Sequence, residues 1–547
     1  MWKCKYHTAY IVKYIEDQDY CSDRAVHLAA LFSKPNESGN RNMIMIKILE
    51  RKQEHPVKML FGKNMKHFME YDTFGLYTAR VYYDWQQAKD EGRDVAHLKE
   101  VCQEIQKRFY SDDRQITLSD YEVACTLEKQ MRTAPLLKDA RYTEPSDYDE
   151  ILKERPENKW KATPKTIHVS EENLKEHILG GWTGRVAGCL LGKPLEFWKC
   201  QTLSSMLKET NNYPVTRYVS TKDFTPEMIK KYKIVTGTPL NNQPWIDELE
   251  GYAPIDDDTN YTVLNLKVME VFGYDFDPGD VLYAWLNWLP AGVCCTAERV
   301  AYKNAVEGFS APATASFQNP YREWVGAQIR AEIFGWVNPG NPEAAAEAAF
   351  RDACVSHTRN GIYGEMFIAA MVAAAMSTKD VREIIEAGLS EIPKNSRLAL
   401  AVRSVVDDYD SGITLEESLD KLHSLHDESN IFEWCHIIPN EKIVVLSLLH
   451  SGGDYTRAIG NCVQFAFDTD SNAAVVGAVM GTLLGPDGID EKWTNPLGGL
   501  LASTVLDEHM NSIEDLTDRT IKILKRDITP DQRLKRRYDY NESFDIG

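Results

Sequence analysis

Apolar residues recur at helical spacing through most of the chain after about residue 165. The runs at 364–376 (GEMFIAAMVAAAM), 382–392 (REIIEAGLSEI) and 416–425 (EESLDKLHSL) place them three and four apart. Strict alternation is scarce, and KIVVLSLLH (442–450) fits a helix or a strand equally. Pro342 and Pro439 sit where helix starts favour proline. The pattern predicts an all-α domain over 166–547. Residues 1–165 read as a mostly helical extension, with helices predicted over 76–89 and 95–109. The stretch 143–166 holds Pro145, Pro156 and Pro164, many charges and few aliphatics, so a linker is predicted there and the boundary near 165.

Glycine adds a second pattern. Gly184, Gly188 and Gly192 are four apart, as are Gly477, Gly481 and Gly485. Each set forms one stripe on a helix where another backbone can approach closely. Glycine costs about 1 kcal/mol per helical site relative to alanine, so repeated glycine predicts tight helix packing at the domain centre.

Length and composition narrow the class. The 547 residues include 43% hydrophobic and 26% charged positions, a globular profile. Lys and Arg total 62 against 82 Asp and Glu, a net charge of −20. Such a surface repels phosphate backbones, so no nucleic-acid partner is expected. The basic run Arg533, Lys535, Arg536, Arg537 reads as a solvated tail. No apolar stretch is long enough for a transmembrane helix, and the first residues lack a signal-peptide core. The 11 cysteines include no CxxC pair, which points to reduced thiols and a cytoplasmic location.

Two acidic turns carry the candidate chemistry. Asp256-Asp257-Asp258-Thr259 follows Pro254 and opens an apolar-periodic run. Asp468-Thr469-Asp470-Ser471-Asn472 opens the second glycine-striped helix. One Asp at a helix start is an ordinary cap. Several together repel one another and take up protons or bind cations. If the two helix starts converge, their hard oxygen donors suit two Mg²⁺ or Mn²⁺ ions. A third piece runs from Gly184 to Glu196. Pro194 should end its helix and leave Glu196 on the loop beyond, as a general base or a metal ligand.

These three pieces, in this order, resemble the ADP-ribosylglycohydrolase family over roughly 175–510. The family pattern is GxxxGxxxGxPxE, then Ser/Thr/Asp-Asp-Asp-Thr, then Asp-Thr-Asp-Ser/Thr-Asn-Ala. The resemblance implies an all-α fold and a binuclear Mg²⁺ or Mn²⁺ site. Its ligands would be Asp256, Asp257 and Asp258 in one group and Asp468, Asp470 and Ser471 in the other. Glu196, Asp257 and Asp470 are the catalytic candidates. His357, Gln328, Arg330, Phe467 and Asn472 are the substrate-contact candidates. Three departures stand out: Cys189 occupies a position where the family often has Asp, and Ala466-Phe467 replaces Gly-Gly before the downstream motif. The stretch Trp324 to Glu332 is similar to a bacterial branch. Phe467 is expected to obstruct the pyrophosphate end of the cleft, disfavouring ADP-ribosyl-arginine.

The reaction implied is hydrolysis at C1 of a ribose-like sugar, in an ADP-ribosyl conjugate or a smaller riboside, with Glu196 positioning or deprotonating the attacking water. The alternative is a non-catalytic nucleotide-sugar-binding or scaffold protein of the same fold. A metal-dependent phosphohydrolase also uses clustered Asp, but the sequence lacks its motif context.

Overall fold

The computed structural model describes residues 77–110, 118–138, 140–161, 171–237, 244–528 and 530. Leu76, the expected boundary near 165 and the basic run at 533–537 lie outside the described residues.

The architecture is helical almost throughout. Near the N-terminus, α1 (Val81–Asp90), α2 (Lys99–Tyr110) and α3 (Leu118–Thr133) enclose a small core of their own, built on Val81, Trp85, Ile105 and Leu127. The predicted helix over 76–89 begins instead with a short 3-10 turn, Tyr77–Ala79, before α1. Residues 140–161 already pack on the large body. Ile151 joins its core, and Arg155 pairs with Glu391 and Glu343.

The large body is organised around α4 (Glu171–Gly192). Its other main helices include α5 (Asp257–Phe272), α6 (Asn360–Ala375), α7 (Ile437–Leu449) and α8 (Thr469–Leu484). KIVVLSLLH belongs to α7, which is buried on nearly every side. That burial explains its ambiguous pattern, since a helix surrounded by protein needs no polar stripe. All of α6 is buried for the same reason.

The glycine stripes face each other. A Cβ on Gly184 would lie 2.2 Å from the carbonyl oxygen of Gly477, one on Gly188 2.0 Å from that of Ala473, and one on Gly192 2.2 Å from that of Thr469. Helices α4 and α8 therefore run antiparallel in backbone contact, and no residue larger than glycine fits at those positions. Tyr455 and Thr469 hydroxyls donate to the Gly184 and Gly192 carbonyls at 2.7 and 2.8 Å.

Among the described residues the strands form one hairpin, β1 (Leu500–Ala502) antiparallel to β2 (Met510–Ser512), with Leu501 opposite Asn511. Sequence patterning missed it because three-residue strands are too short to show alternation. Ala253 bonds to β1 through Ala253 N–H to Leu500 O and Ala502 N–H to Ala253 O, both 2.9 Å. The hairpin thus anchors the turn leading into Asp256. No described helix is long and apolar enough to cross a membrane. The cysteines among the described residues are unpaired.

Candidate functional site

Three chain segments meet at one end of the α4–α8 pair. Because the two helices are antiparallel and in contact, the last turn of α4 lies against the first turn of α8. Pro194 closes α4 through the 3-10 turn Lys193–Leu195, and Glu196 follows in extended conformation. It therefore emerges beside Asp468 and Asp470. Asp468 precedes α8 without accepting a capping hydrogen bond, which leaves its carboxylate to the site. Asp256 does cap α5, accepting from the Asp258 N–H at 2.9 Å.

The upstream acidic turn is held by Arg185 of α4. Its guanidinium is fully buried, bonds to Thr262 Oγ1 at 2.7 Å and the Asp258 carbonyl at 2.5 Å, and pairs with Glu332. It lies 3.9 Å from Asp258 Oδ1.

The acids gather into two groups that could each hold a cation, Cys189 with Asp256 and Asp258, and Glu196 with Asp468 and Asp470. Within each, the donor atoms lie within 4.8 Å of one another. Ser471 Oγ joins the groups, 3.4 Å from Asp258 Oδ2. The two acidic turns thus converge as the sequence predicts, but the partners differ. Glu196 belongs with the downstream acids, and Cys189 sits inside the upstream set.

Crowding and burial shape the charges. Burial, then the Asp256 and Asp470 charges, pushes Asp257 up to about 7. Burial, then Asp256, pushes Asp470 up to about 6. Asp258, Asp468 and Glu196 are raised well above the usual carboxylate range, by burial first and neighbouring acids second. Asp256 goes the other way. Burial alone would raise it, but the Lys193 ammonium beside it holds it below the ordinary value.

Asp470 Oδ1 and Asp258 Oδ1 are buried without a hydrogen-bond partner. An uncompensated buried carboxylate costs several kcal/mol, so Asp470 Oδ1 calls for a proton or a cation, whereas Asp258 Oδ1 has the Arg185 guanidinium 3.9 Å away. The groups gathered with Asp470 are the carboxylates of Glu196 and Asp468, which suit a hard divalent ion.

The remaining expected contacts are all buried. Arg330 is fully buried, and its donors are consumed by Asp352 at 2.5 Å, Glu298 at 2.7 Å and Ser356 at 3.1 Å. It ties core helices together rather than reaching substrate. Asn472 is likewise buried and donates to Asn440 Oδ1 at 2.8 Å, bridging α8 to α7. His357 is buried, with Nδ1 2.8 Å from Ser356 Oγ and its Nε2 unpartnered. Burial, then the Arg330 charge, keeps it neutral by lowering its pKa well below the usual histidine value. Gln328 is buried with both amide atoms unpartnered.

Phe467 does not obstruct a cleft. Its side chain is fully buried, with its ring 5.3 Å from that of His423. The replacement of Gly-Gly shows instead in the backbone, since Ala466 and Phe467 both adopt left-handed φ, +58° and +59°. This region disfavours residues with a Cβ, at a cost of roughly 1–3 kcal/mol each.

Sequence reading missed Lys193, Arg185 and Phe197. The signal for the first two is a charged residue within or directly after an apolar glycine helix. Phe197, next to Glu196, is 58% exposed and stacks on Trp434 at 4.7 Å. It offers an aromatic face at the rim of the acid site.

A family model described as ADP-ribosylglycohydrolase matches residues 170–529. A solved structure described as "ADP-ribosylglycohydrolase-related protein complex" is similar at 16% identity and a TM-score of 0.42, covering 65% of this chain and 99% of that one. No curated protein matches the chain.

Proposed function

The chain belongs to the ADP-ribosylglycohydrolase family, and from that premise we propose that it hydrolyses a glycosidic bond at C1 of a ribose-like sugar with the help of a divalent cation, Mg²⁺ or Mn²⁺. The substrate is an ADP-ribosyl conjugate or a smaller riboside. With the Phe467 ring turned into the core, the steric case against ADP-ribosyl-arginine falls away, and that conjugate stays among the candidates.

The observation that carries this reading is the convergence of Glu196, Asp468 and Asp470 around the buried, unpartnered Asp470 Oδ1. When bound there, the cation supplies Lewis-acid polarisation and orients oxygen groups of the sugar and water. Asp468 and Asp470 would hold it, with Asp257, half-buried at the start of α5, on the acidic wall beside them. Glu196 takes the proton from the attacking water as the bond from C1 to the leaving group breaks and positive character develops at C1, and the leaving group departs with a proton from solvent water. Its raised affinity for a proton, from burial and the neighbouring Asp470 and Asp468 charges, suits that exchange. Phe197 on Trp434 offers a stacking face for a base or another planar leaving portion.

A second reading, a non-catalytic binding or scaffold role, is favoured by one observation: the Lys193 ammonium already neutralises Asp256. A hydrolysis screen separates the two. With Mg²⁺ or Mn²⁺, the protein is expected to release free ribose or ADP-ribose from ADP-ribosyl conjugates, O-acetyl-ADP-ribose, nucleosides or simple ribosides, and chelation is expected to abolish release. Cation binding without product from any of these would favour the non-catalytic role.

A further inference from the structure

Lys193 directly follows the last glycine of α4, and its side chain is 4% exposed. Its ammonium donates to Asp256 Oδ2. The other oxygen of Asp256 accepts from the Asp258 N–H at 2.9 Å. Both oxygens of Asp256 therefore already have a donor. The group's remaining donors are Cys189 Sγ, a soft atom that Mg²⁺ and Mn²⁺ take poorly, and Asp258. One oxygen of Asp258 faces the Ser471 hydroxyl at 3.4 Å, and the other lies 3.9 Å from the Arg185 guanidinium.

The neighbouring group differs at each point. Glu196, Asp468 and Asp470 offer three carboxylates within 4.8 Å and no thiol. Asp470 Oδ1 is buried and unpartnered. Among the described residues no lysine or arginine is within ion-pair distance of Asp468 or Asp470, whereas Asp256 and Asp258 each have such a neighbour.

We propose that this chain binds a single divalent cation, held by Asp468 and Asp470 beside Glu196, and that the Lys193 ammonium stands in place of a second ion at Asp256 and Asp258. A dication there would share Asp256 with the ammonium, and the like charges repel. Lysine carries a compact point charge on a flexible stem, which lets it take an ion's place among carboxylates. The tethered charge keeps the upstream half of the site filled whatever the free metal concentration.

The inference rests on the cation-dependent reading of the site and alters only the ion count. Its test is the number of Mn²⁺ ions bound per full-length chain, measured by native mass spectrometry and by electron paramagnetic resonance at saturating Mn²⁺. The wild type is expected to bind one ion with a mononuclear six-line spectrum. Lys193→Met, which keeps the stem and removes the charge, is expected to bind two with a spin-coupled spectrum, while Lys193→Arg keeps one. Two ions in the wild type would overturn the role of Lys193 and leave the hydrolase reading intact. One ion in a folded Lys193→Met protein would overturn it as well. No ion in the wild type would overturn both. The wild-type count depends on no variant folding.

Discussion

Glu144 and Glu323 are buried as deeply as Asp258 and Asp470, yet their surroundings are opposite. Arg397 reaches both glutamates, Glu144 at 2.9 Å and Glu323 at 2.6 Å, and Arg359 pairs with them too. Burial would raise these carboxyls, but Arg397 foremost holds both below the usual range. Nearby, Arg322 holds Asp84 at 2.6 Å and Glu91 at 2.8 Å, fastening α1 to the large body. At the acid site six acids face one another, with Lys193 at Asp256 and Arg185 at Asp258 as cationic neighbours within ion-pair distance, and all but Asp256 are raised. Balanced buried acids fasten parts of a protein together. Unbalanced ones store a demand for positive charge, which marks a functional site.

Four experiments would break or sharpen that contrast. The largest effect is expected from Glu196→Gln, which should lower kcat by about 10²–10⁴-fold and leave the melting temperature nearly unchanged. Steady-state kinetics on the substrate found in the screen, beside a thermal melt, would check it. At the balanced cluster the expectation inverts. Arg397→Met strands Glu144 and Glu323 without their main partner, and should cost about 3–5 kcal/mol of stability while leaving the number of bound cations unchanged. Denaturant unfolding with a Mn²⁺ titration would show both.

Gly188→Ala tests the scaffold joining the acids. Its Cβ would meet the Ala473 carbonyl oxygen at 2.0 Å, so α4 and α8 must separate. The expected loss is about 1–3 kcal/mol, together with weaker cation binding because Glu196 moves away from Asp470.

The smallest effect concerns pH. Asp257 and Asp470 are pushed up to about 7 and about 6, against about 3.9 in an unfolded chain. Between about pH 4 and 7 the folded protein keeps protons that the unfolded chain has released, so metal-free stability falls as pH rises through that window. A bound cation replaces those protons. The Mn²⁺-induced rise in melting temperature should therefore grow by about 2–4 °C from pH 5 to 7.5. A rise that shrinks with pH would contradict the charge assignment.

Much of this was legible in the sequence because helices announce themselves locally. The four-residue glycine spacing predicts a backbone-to-backbone contact, and Gly184, Gly188 and Gly192 make it with α8. Acids at two helix starts predict convergence, and Ser471 meets Asp258. What the sequence hid depends on direction and long-range partners. Phe467 is large, but its left-handed backbone turns the ring toward His423. Arg330 has the chemistry of a substrate contact, but Asp352 and Glu298, from other segments, take up its donors. Lys193 directly follows a glycine helix, but its role depends on Asp256, far along the chain, being brought against it.

The most direct test of the central claim is a thermal melt of the wild type and Asp470→Asn at pH 7.5, with and without Mn²⁺. If the unbalanced carboxylates form a cation site, Mn²⁺ raises the melting temperature of the wild type and not of Asp470→Asn. The metal-free variant should also melt higher than the metal-free wild type, because one repelling charge is gone. No Mn²⁺ shift in the wild type, or an equal shift in both proteins, would contradict the account.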